Sequence, residues 1–167
     1  MQPLAVHIRS ATLTDAQSIV RVHFNAVHQI PGVFYPTEVL RSWSAAPNEG
    51  RLNQVRREIA AGHELFVVAE IDGAVHGFGS IVSANEELRA IYVEPAFGRR
   101  GVGSAILRHL EQVAVAHKVT RLSMDASLNA ESFYLKHGYS VVSRGVHRLS
   151  SGVEMACVKM SKGLTAS

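Results

Sequence analysis

The N-terminal part of the chain carries apolar residues at the spacing of amphipathic helices. Five residues that recur with the helical period of about 3.6 residues per turn predict a first helix there. They are Ile19, Val20, His23, Phe24 and Val27. Thr14 and Gln17 fit a capping box, in which a hydroxyl and an amide satisfy reciprocal free backbone amides at the start of that helix. The other elements predicted here are a strand over 6–9, a short helix that starts at Pro36-Thr37 and carries Val39, Leu40 and Trp43, and a helix over 52–61 that ends at Gly62.

The remainder of the chain alternates between strand and helix patterns. The apolar run over 65–69 predicts a buried strand, and Asp72-Gly73 predicts a type I′ turn into a strand over 75–82. A third strand over 87–93 ends before Pro95, since proline has no amide hydrogen to donate. The remaining predicted elements are a helix from 104, a strand over 121–126, a helix over 129–137, and strands over 139–146 and 153–160. The pattern predicts one α/β domain of α+β type over 1–167, with a mixed, mostly antiparallel central sheet flanked by helices.

Composition excludes several classes of protein. The 167 residues include 17 Lys and Arg against 14 Asp and Glu, a formal charge of +3. The one cysteine, Cys157, excludes an internal disulfide, and the nine histidines lack the i, i+4 pairing of a helical metal site, so no metal is predicted. No run approaches the ~18 apolar residues of a membrane span, and Met1 to Ser10 lack the apolar core of a secretory signal. We therefore expect a cytoplasmic protein with no membrane partner.

A glycine-rich turn between a predicted strand and a predicted helix is the candidate anion site. Gly98-Arg99-Arg100-Gly101-Val102-Gly103-Ser104 would place free amides and the positive end of a helix dipole beside a phosphate. Arg99 and Arg100 would add charge, and Ser104 a hydroxyl. This arginine pair is a short basic cluster and not the basic stripe typical of a nucleic-acid binder, which favours a small anion over nucleic acid. A turn that binds nothing is the alternative interpretation.

Two common phosphate motifs do not match this turn. A P-loop needs a lysine directly before Ser104, where the chain has Gly103. A dinucleotide fingerprint needs a third glycine where Ile106 stands, and it belongs in an early strand–helix–strand unit. The turn is therefore of another kind.

The segment from Leu88 to Leu107 resembles the acetyl-CoA motif of the GNAT acetyltransferase superfamily, whose core is Gln or Arg, any two residues, Gly, any residue, then Gly or Ala. The segment from Asn129 to Tyr139 resembles the second signature of that superfamily, in the same order along the chain. Two motifs together are more specific than either one. Gly98 stands where the family often has Gln or Arg. This departure removes a side chain but leaves the backbone amides, so we expect cofactor binding to survive.

The resemblance implies acetyl-CoA as the cosubstrate and transfer of its acetyl group to a primary amine, by direct attack in a ternary complex. The strand before the turn would pair with the pantetheine arm through Ile91 and Val93, with Tyr92 between them. Asn129 matches an asparagine near that arm, and Tyr134 matches the tyrosine beside the thioester sulfur. The pyrophosphate would lie on the amides of Arg99, Arg100, Gly101, Val102, Gly103 and Ser104.

The chemistry of acyl transfer needs an acid and a base. An alkyl amine is almost entirely protonated at pH 7, so a base must take a proton from it, and the departing thiolate benefits from a donor such as Tyr134. Strand alternation puts Glu87 on the same face as Val93, and Glu87 also matches the base glutamate of some histone-type members. Glu86, which points the other way, is the second choice. A histidine or a chain of waters remains open.

The acceptor is the least defined part of the prediction. The aromatic-rich segment over 28–35 lies between the first two predicted helices, which build the acceptor pocket in the family. His28, Phe34 and Tyr35 are therefore the candidate pocket residues, and a partly apolar amine on a small molecule or a protein is the expected partner. A homodimer is left open. The alternative function is a non-catalytic acyl-CoA-binding or regulatory module with the same fold.

Overall fold

The computed structural model describes residues 3–165, so the ends of the predicted domain over 1–167 lie outside the described residues. Seven strands form one sheet: β1 (His7–Ser10), β2 (Leu65–Ile71), β3 (Ala74–Val82), β4 (Glu87–Val93), β5 (Arg121–Ser127), β6 (Ser140–Arg148) and β7 (Glu154–Gly163). Five α-helices flank it: α1 (Ala16–His28), α2 (Thr37–Trp43), α3 (Glu49–Ala61), α4 (Val102–Ala116) and α5 (Glu131–Lys136).

The strand order is β1-β2-β3-β4-β5-β7-β6. All neighbouring strands are antiparallel except β4 and β5, which run parallel. This arrangement confirms the predicted mixed, mostly antiparallel sheet with flanking helices. No helix within residues 3–165 combines the length and the apolar character needed to cross a membrane.

The helix α4 lies very close to β3 because Gly77 and Gly79 on that strand leave room for it. A Cβ atom added at Gly79 would come within 2.7 Å of Ile106 Cγ2 and 2.8 Å of the Ala90 carbonyl oxygen. Ile106, Leu107 and Leu110 of α4 are fully buried in the core on this face of the sheet. The opposite face packs against α1 and α3. The sheet therefore separates two layers of helices.

The strands β4 and β5 diverge in the middle of the sheet. Among the described residues, Glu87 and Ser123 are the one pair in register between them. Beyond Glu87 the backbone of β4 toward Val93 therefore lacks a partner on that side. The sheet is therefore open at this point, between the layer formed by α4 and the layer formed by α1 and α3.

A β-bulge in β4 reverses the side-chain alternation that the sequence implied. The register between β3 and β4 shifts between Ser80 and Ile81, so β4 contains one extra residue. Leu88 consequently packs with Ile91 and Val93 in the core beneath α4. Glu87 then faces the other side of the sheet, so the prediction that it shares a face with Val93 is wrong. The sequence did not show this because strand periodicity does not reveal a bulge.

Most local signals are confirmed at their predicted positions. Strand β4 has the predicted ends, and both residues of the Asp72-Gly73 turn have positive φ angles, 53° and 80°, as a type I′ turn requires. Helix α3 ends at Gly62 with φ 74°, but it begins earlier than predicted because Asn48 Oδ1 accepts a hydrogen bond from the amide of Arg51.

The predicted capping box is displaced along the chain. It is formed by Thr12 and Asp15 around a 3₁₀ turn that precedes α1, and not by Thr14 and Gln17. Asp15 also accepts two hydrogen bonds from the Arg9 guanidinium, at 2.7 and 2.9 Å. This contact with β1 favours Asp15 as the capping carboxylate and holds its pKa below the usual value. The prediction failed because it used local spacing alone.

Candidate active site

A cleft of about 670 Å³ lies between the second half of β4 and α5, over the start of α4. We call it the α4 cleft. Most residues of the predicted cofactor site line it: Ile91, Val93, Arg99, Gly101, Gly103, Ser104, Asn129 and Tyr134. Phe133, Lys136 and His137 of the second signature complete the wall. The structure therefore brings the two motifs, which are distant in sequence, to one cavity.

The start of α4 is built to leave backbone amides free. Gly101 has φ 85°, a left-handed conformation that suits glycine, and α4 begins at the next residue. The first helical hydrogen bond runs from the amide of Ala105 to the carbonyl of Gly101. The amides of residues 102–104 thus have no acceptor within the helix, which is the usual basis of anion binding.

The two arginines of the turn differ. Arg99 lines the α4 cleft and has φ 58°, an uncommon value for a residue with a side chain. Arg100 is exposed and lies outside the cleft. Val102 is 1% exposed because its side chain packs in the core, so it offers the cleft only its backbone. Of the predicted charge pair, only Arg99 is positioned to meet a ligand in the cleft.

Gly103 is fixed by the close approach of α5. A Cβ atom at this position would lie 3.3 Å from Cε1 of Phe133, which is tighter than ordinary contact. The ring of Phe133 in turn lies against that of His137, with centroids 4.5 Å apart. The glycine of the motif therefore allows the second signature to pack against the turn.

His137 engages the hydroxyl of Ser104, a contact that sequence reasoning missed. His137 Nδ1 lies 2.8 Å from the Phe133 carbonyl oxygen, which can only accept, so Nδ1 carries a hydrogen. His137 Nε2 lies 2.9 Å from Ser104 Oγ, so in a neutral ring the hydroxyl donates to it. A ligand in the cleft would thus meet the oxygen lone pairs of Ser104. The signal available from sequence was the position of His137 in the second signature.

A second cavity, of about 490 Å³, lies on the other face of β4. We call it the central cavity. Its wall includes Trp43, Glu87, Arg89, Tyr92, Asp125, His147, Met155 and Cys157. Ile91, Ala130 and Tyr134 line both this cavity and the α4 cleft. The two spaces therefore meet where β4 and β5 diverge.

Tyr134 stands at this meeting point. Its ring packs edge-on against Phe133 and Tyr139, with centroids 5.1 and 5.6 Å away. Its hydroxyl has no hydrogen-bond partner within residues 3–165. Burial raises the pKa of Tyr134, which keeps the hydroxyl protonated at neutral pH. The arrangement offers a fixed, neutral proton donor to a group that lies between the two cavities.

Tyr92 belongs to the central cavity and not to the α4 cleft. Ile91 and Val93 line the α4 cleft, whereas the side chain of Tyr92 between them packs against Phe78 and His23, with ring centroids 5.4 and 4.6 Å away. Burial raises the pKa of Tyr92 to about 12 and lowers that of His23 to about 3, so both are neutral at pH 7. Tyr92 can therefore contact a cofactor in the α4 cleft only through its backbone.

The three predicted acceptor residues lie elsewhere. His28 Nε2 lies 2.7 Å from the carbonyl oxygen of Ser44, and Phe34 is exposed. The Tyr35 hydroxyl donates to the Ala156 carbonyl at 2.6 Å and accepts from the Leu128 amide at 2.9 Å, so it braces distant segments. None of the three lines the central cavity or the α4 cleft.

Charged side chains line the central cavity in pairs. Glu87 Oε1 accepts hydrogen bonds from Arg89 Nε and Nη2 at 3.1 and 2.6 Å. Asp125 accepts from Lys159 Nζ at 2.9 Å and lies 3.1 Å from His147 Nδ1. The sequence did not single out Asp125 and His147 as site residues, because they come from separate strands and share no motif. Glu86, the second choice of base, is exposed at the end of a 3₁₀ turn, outside both cavities.

Cys157 is buried, as its strand position predicted, and burial raises the pKa of its thiol. A thiol with a raised pKa is a poor nucleophile at neutral pH, because the thiolate is the reactive form. The residue therefore contributes apolar surface to the central cavity.

Comparisons with known proteins agree with this geometry. A family model described as an acetyltransferase (GNAT) domain matches residues 36–163. The uncharacterized N-acetyltransferase YafP of Escherichia coli (strain K12) is 24% identical over 139 residues, which are 83% of this chain and 84% of the relative. A crystal structure of a GCN5-related N-acetyltransferase from Rhodopseudomonas palustris is 27% identical, covers 98% of each chain and has a TM-score of 0.84.

The fold is also shared with a protein solved together with a ligand. The PaiA N-acetyltransferase of Thermoplasma acidophilum, crystallised with coenzyme A, has a TM-score of 0.77 at 19% identity. The similarity covers 96% of this chain and 99% of that one. At this identity the likeness shows a common fold.

Proposed function

The chain belongs to the GNAT acetyltransferase family, and on that premise we propose that it transfers the acetyl group of acetyl-CoA to a primary amine of a small molecule or a protein. The observation that carries this proposal is the position of Tyr134, whose side chain lines both the α4 cleft and the central cavity. One space would hold the acetyl donor and the other the amine. Direct transfer requires that the two meet, and a proton donor at that point would assist departure of the thiolate.

The residues of the α4 cleft fit a coenzyme A molecule. The free amides over 102–104 and the side chains of Arg99 and Lys136 suit a pyrophosphate. The unpaired backbone of β4 between Ile91 and Val93 suits the amides of a pantetheine arm, as an exposed strand edge suits an added strand. The T. acidophilum protein of the same fold was crystallised with coenzyme A, which supports coenzyme A as the kind of ligand.

The bound thioester supplies an activated acyl group, and the chain's residues supply proton transfer and orientation. Tyr134 would donate its hydroxyl proton to the sulfur as the carbon–sulfur bond breaks. A backbone amide of β4 near Val93 would polarise the thioester carbonyl. The aromatic wall of Trp43 and Tyr92 would hold the apolar part of the amine. Glu87 stays a predicted base on the acceptor side.

Titration calorimetry with acetyl-CoA, followed by a thiol-release assay over a panel of amines, tests this proposal. We expect stoichiometric binding of acetyl-CoA and release of one thiol for each amine acetylated, with the product identified by mass spectrometry. Binding without turnover on any amine would instead support the alternative, a non-catalytic acyl-CoA-binding module. Absence of both binding and turnover would contradict the proposal at its first step.

A further inference from the structure

Asp125 and His147 form a hydrogen-bonded pair on the wall of the central cavity. Asp125 lies on β5 and His147 on β6, and the two side chains meet with 3.1 Å between Asp125 Oδ2 and His147 Nδ1. Lys159 of β7 donates to the other carboxylate oxygen of Asp125 at 2.9 Å. Three strands thus fix one imidazole beside the space in which an amine would lie.

The pair determines which imidazole nitrogen is free. Burial raises the pKa of Asp125, but the hydrogen bonds from Lys159 and His147 outweigh that effect and hold the pKa below its usual value. An ionised carboxylate can only accept, so Nδ1 of a neutral His147 must carry the hydrogen. Nε2 then keeps its lone pair, and it has no hydrogen-bond partner among the described residues. A carboxylate that orients a histidine in this way is the arrangement used by general bases of acyl-transfer enzymes.

The carboxylate of Glu87 is engaged differently. Its Oε1 accepts two hydrogen bonds from Arg89, and the guanidinium of Arg89 also lies 3.7 Å from Glu64. Lone pairs that Oε1 gives to a guanidinium are not available to an amine, and a proton taken up by the other oxygen would weaken the ion pair with Arg89. The thiol of Cys157 is neutral for the reason given above. Proton uptake at Nε2 of His147 breaks no ion pair and is stabilised by the carboxylate of Asp125, so we favour this nitrogen as the base.

We propose that His147, positioned by Asp125, is the general base of the acetyl transfer; this inference rests on the proposed function. The ammonium first loses one proton to solvent, and the amine nitrogen then bonds to the thioester carbonyl carbon. That nitrogen becomes acidic as its lone pair is used, and it gives its second proton to Nε2 of His147. The carbon–sulfur bond breaks with its electron pair on sulfur, which takes the proton of Tyr134. The imidazolium releases its proton to solvent, and Tyr134 regains one.

This assignment predicts the pH dependence of the reaction. Protonation of Nε2 of His147 removes the lone pair that accepts the proton, so kcat/KM is expected to fall on the acid side of its pH profile. Of the other groups on this wall, Asp125 has a lowered pKa, and Lys159, Cys157, Tyr92 and Tyr134 have raised ones. Glu87 and Arg89 of β4 bond to each other, and on β6 Arg148 bonds to Glu154. We assign the acid limb that remains for the unprotonated amine to the imidazole, and Glu87→Gln tests Glu87 as its other source.

The experiment measures kcat/KM for an accepted amine, calculated on the concentration of its unprotonated form, against pH in the wild type, His147→Gln, Asp125→Asn and Glu87→Gln. His63→Gln, at an exposed position in the loop before β2, is the matched control. We expect His147→Gln to lower kcat/KM about 100-fold or more and to abolish the acid limb. Acetyl-CoA affinity stays as in the wild type, and added imidazole restores part of the rate. Asp125→Asn lowers the rate less, since the base remains but its tautomer is no longer fixed.

The outcomes separate this inference from the function on which it rests. A His147→Gln protein with the wild-type rate and acid limb would overturn the base assignment and leave the acetyltransferase intact. Loss of the acid limb in Glu87→Gln, and not in His147→Gln, would return the role to Glu87. A wild type that binds acetyl-CoA but acetylates no amine would overturn both. A drop in rate that imidazole does not rescue, with an unchanged pH profile, would reduce His147 to a structural residue.

Discussion

The two cavities that meet at Tyr134 are built in different ways. The α4 cleft is made mainly from two contiguous segments, the turn before α4 and the helix α5, and its ligand groups are largely backbone amides. The central cavity is made from side chains of α2, β4, β5, β6 and β7. A site made of backbone in one segment leaves a motif in the sequence. A site made of single side chains from many elements leaves none, and it is free to differ between members of a family.

The largest expected effect comes from filling the α4 cleft. A Gly103→Trp substitution would drive an indole against Phe133, which already lies 3.3 Å from the position of a Cβ atom. We expect acetyl-CoA affinity to fall by on the order of 100-fold or more, measured by calorimetry. Gly32→Trp, in a loop with open space around its Cβ, is the control and should bind normally. Normal affinity in Gly103→Trp would place the cofactor elsewhere.

The point of contact between the cavities is tested by Tyr134→Phe. Removal of the proton donor should lower kcat about 100-fold, while the affinity for acetyl-CoA changes little because the ring remains. Tyr139→Phe is the control, since its hydroxyl donates to Glu111 at 2.9 Å, away from both cavities. It should lower the melting temperature and leave kcat near that of the wild type. Equal kcat in wild type and Tyr134→Phe would remove the donor role.

The central cavity is tested by Trp43→Ala. Loss of the indole beside Tyr92 should raise KM for the amine about 10-fold and leave acetyl-CoA affinity unchanged, because Trp43 lines the central cavity and not the α4 cleft. Circular dichroism checks that the variant is folded. Phe34→Ala removes an exposed ring from the segment that the sequence favoured, and we expect no change in KM. A larger effect from Phe34 than from Trp43 would restore the acceptor site predicted from sequence.

The smallest effect distinguishes the two arginines of the turn. Arg99→Ala should weaken acetyl-CoA binding a few-fold, and the difference should shrink at high salt, as for a solvated ion pair. Arg100→Ala should bind as the wild type does, since that side chain is exposed outside the α4 cleft. Equal losses in both variants would mean that net charge, and not position, attracts the cofactor.

What the sequence could predict is what local chemistry decides. The left-handed stop at Gly62, the Asp72-Gly73 turn and the ends of β4 depend on a few adjacent residues, and all three are confirmed. The glycine turn and the second signature resembled the acetyl-CoA motifs of the family to which the chain belongs. Each of these features is encoded within a short stretch of chain.

What the sequence could not predict depends on contacts between distant segments. The bulge that turns Glu87 to the other face is a matter of register between β3 and β4. Tyr35 was assigned to a pocket, but its hydroxyl is held by Ala156 and Leu128, which are far along the chain. The pairing of Asp125 with His147 likewise appears only when β5 and β6 come together in the fold.

A crystal structure of the protein with acetyl-CoA tests the central claim most directly. The account predicts the pyrophosphate on the backbone amides over 102–104 and the thioester sulfur within hydrogen-bond reach of the Tyr134 hydroxyl, with the acetyl group facing the central cavity. A pyrophosphate bound away from the start of α4, or a thioester that does not reach Tyr134, would contradict it.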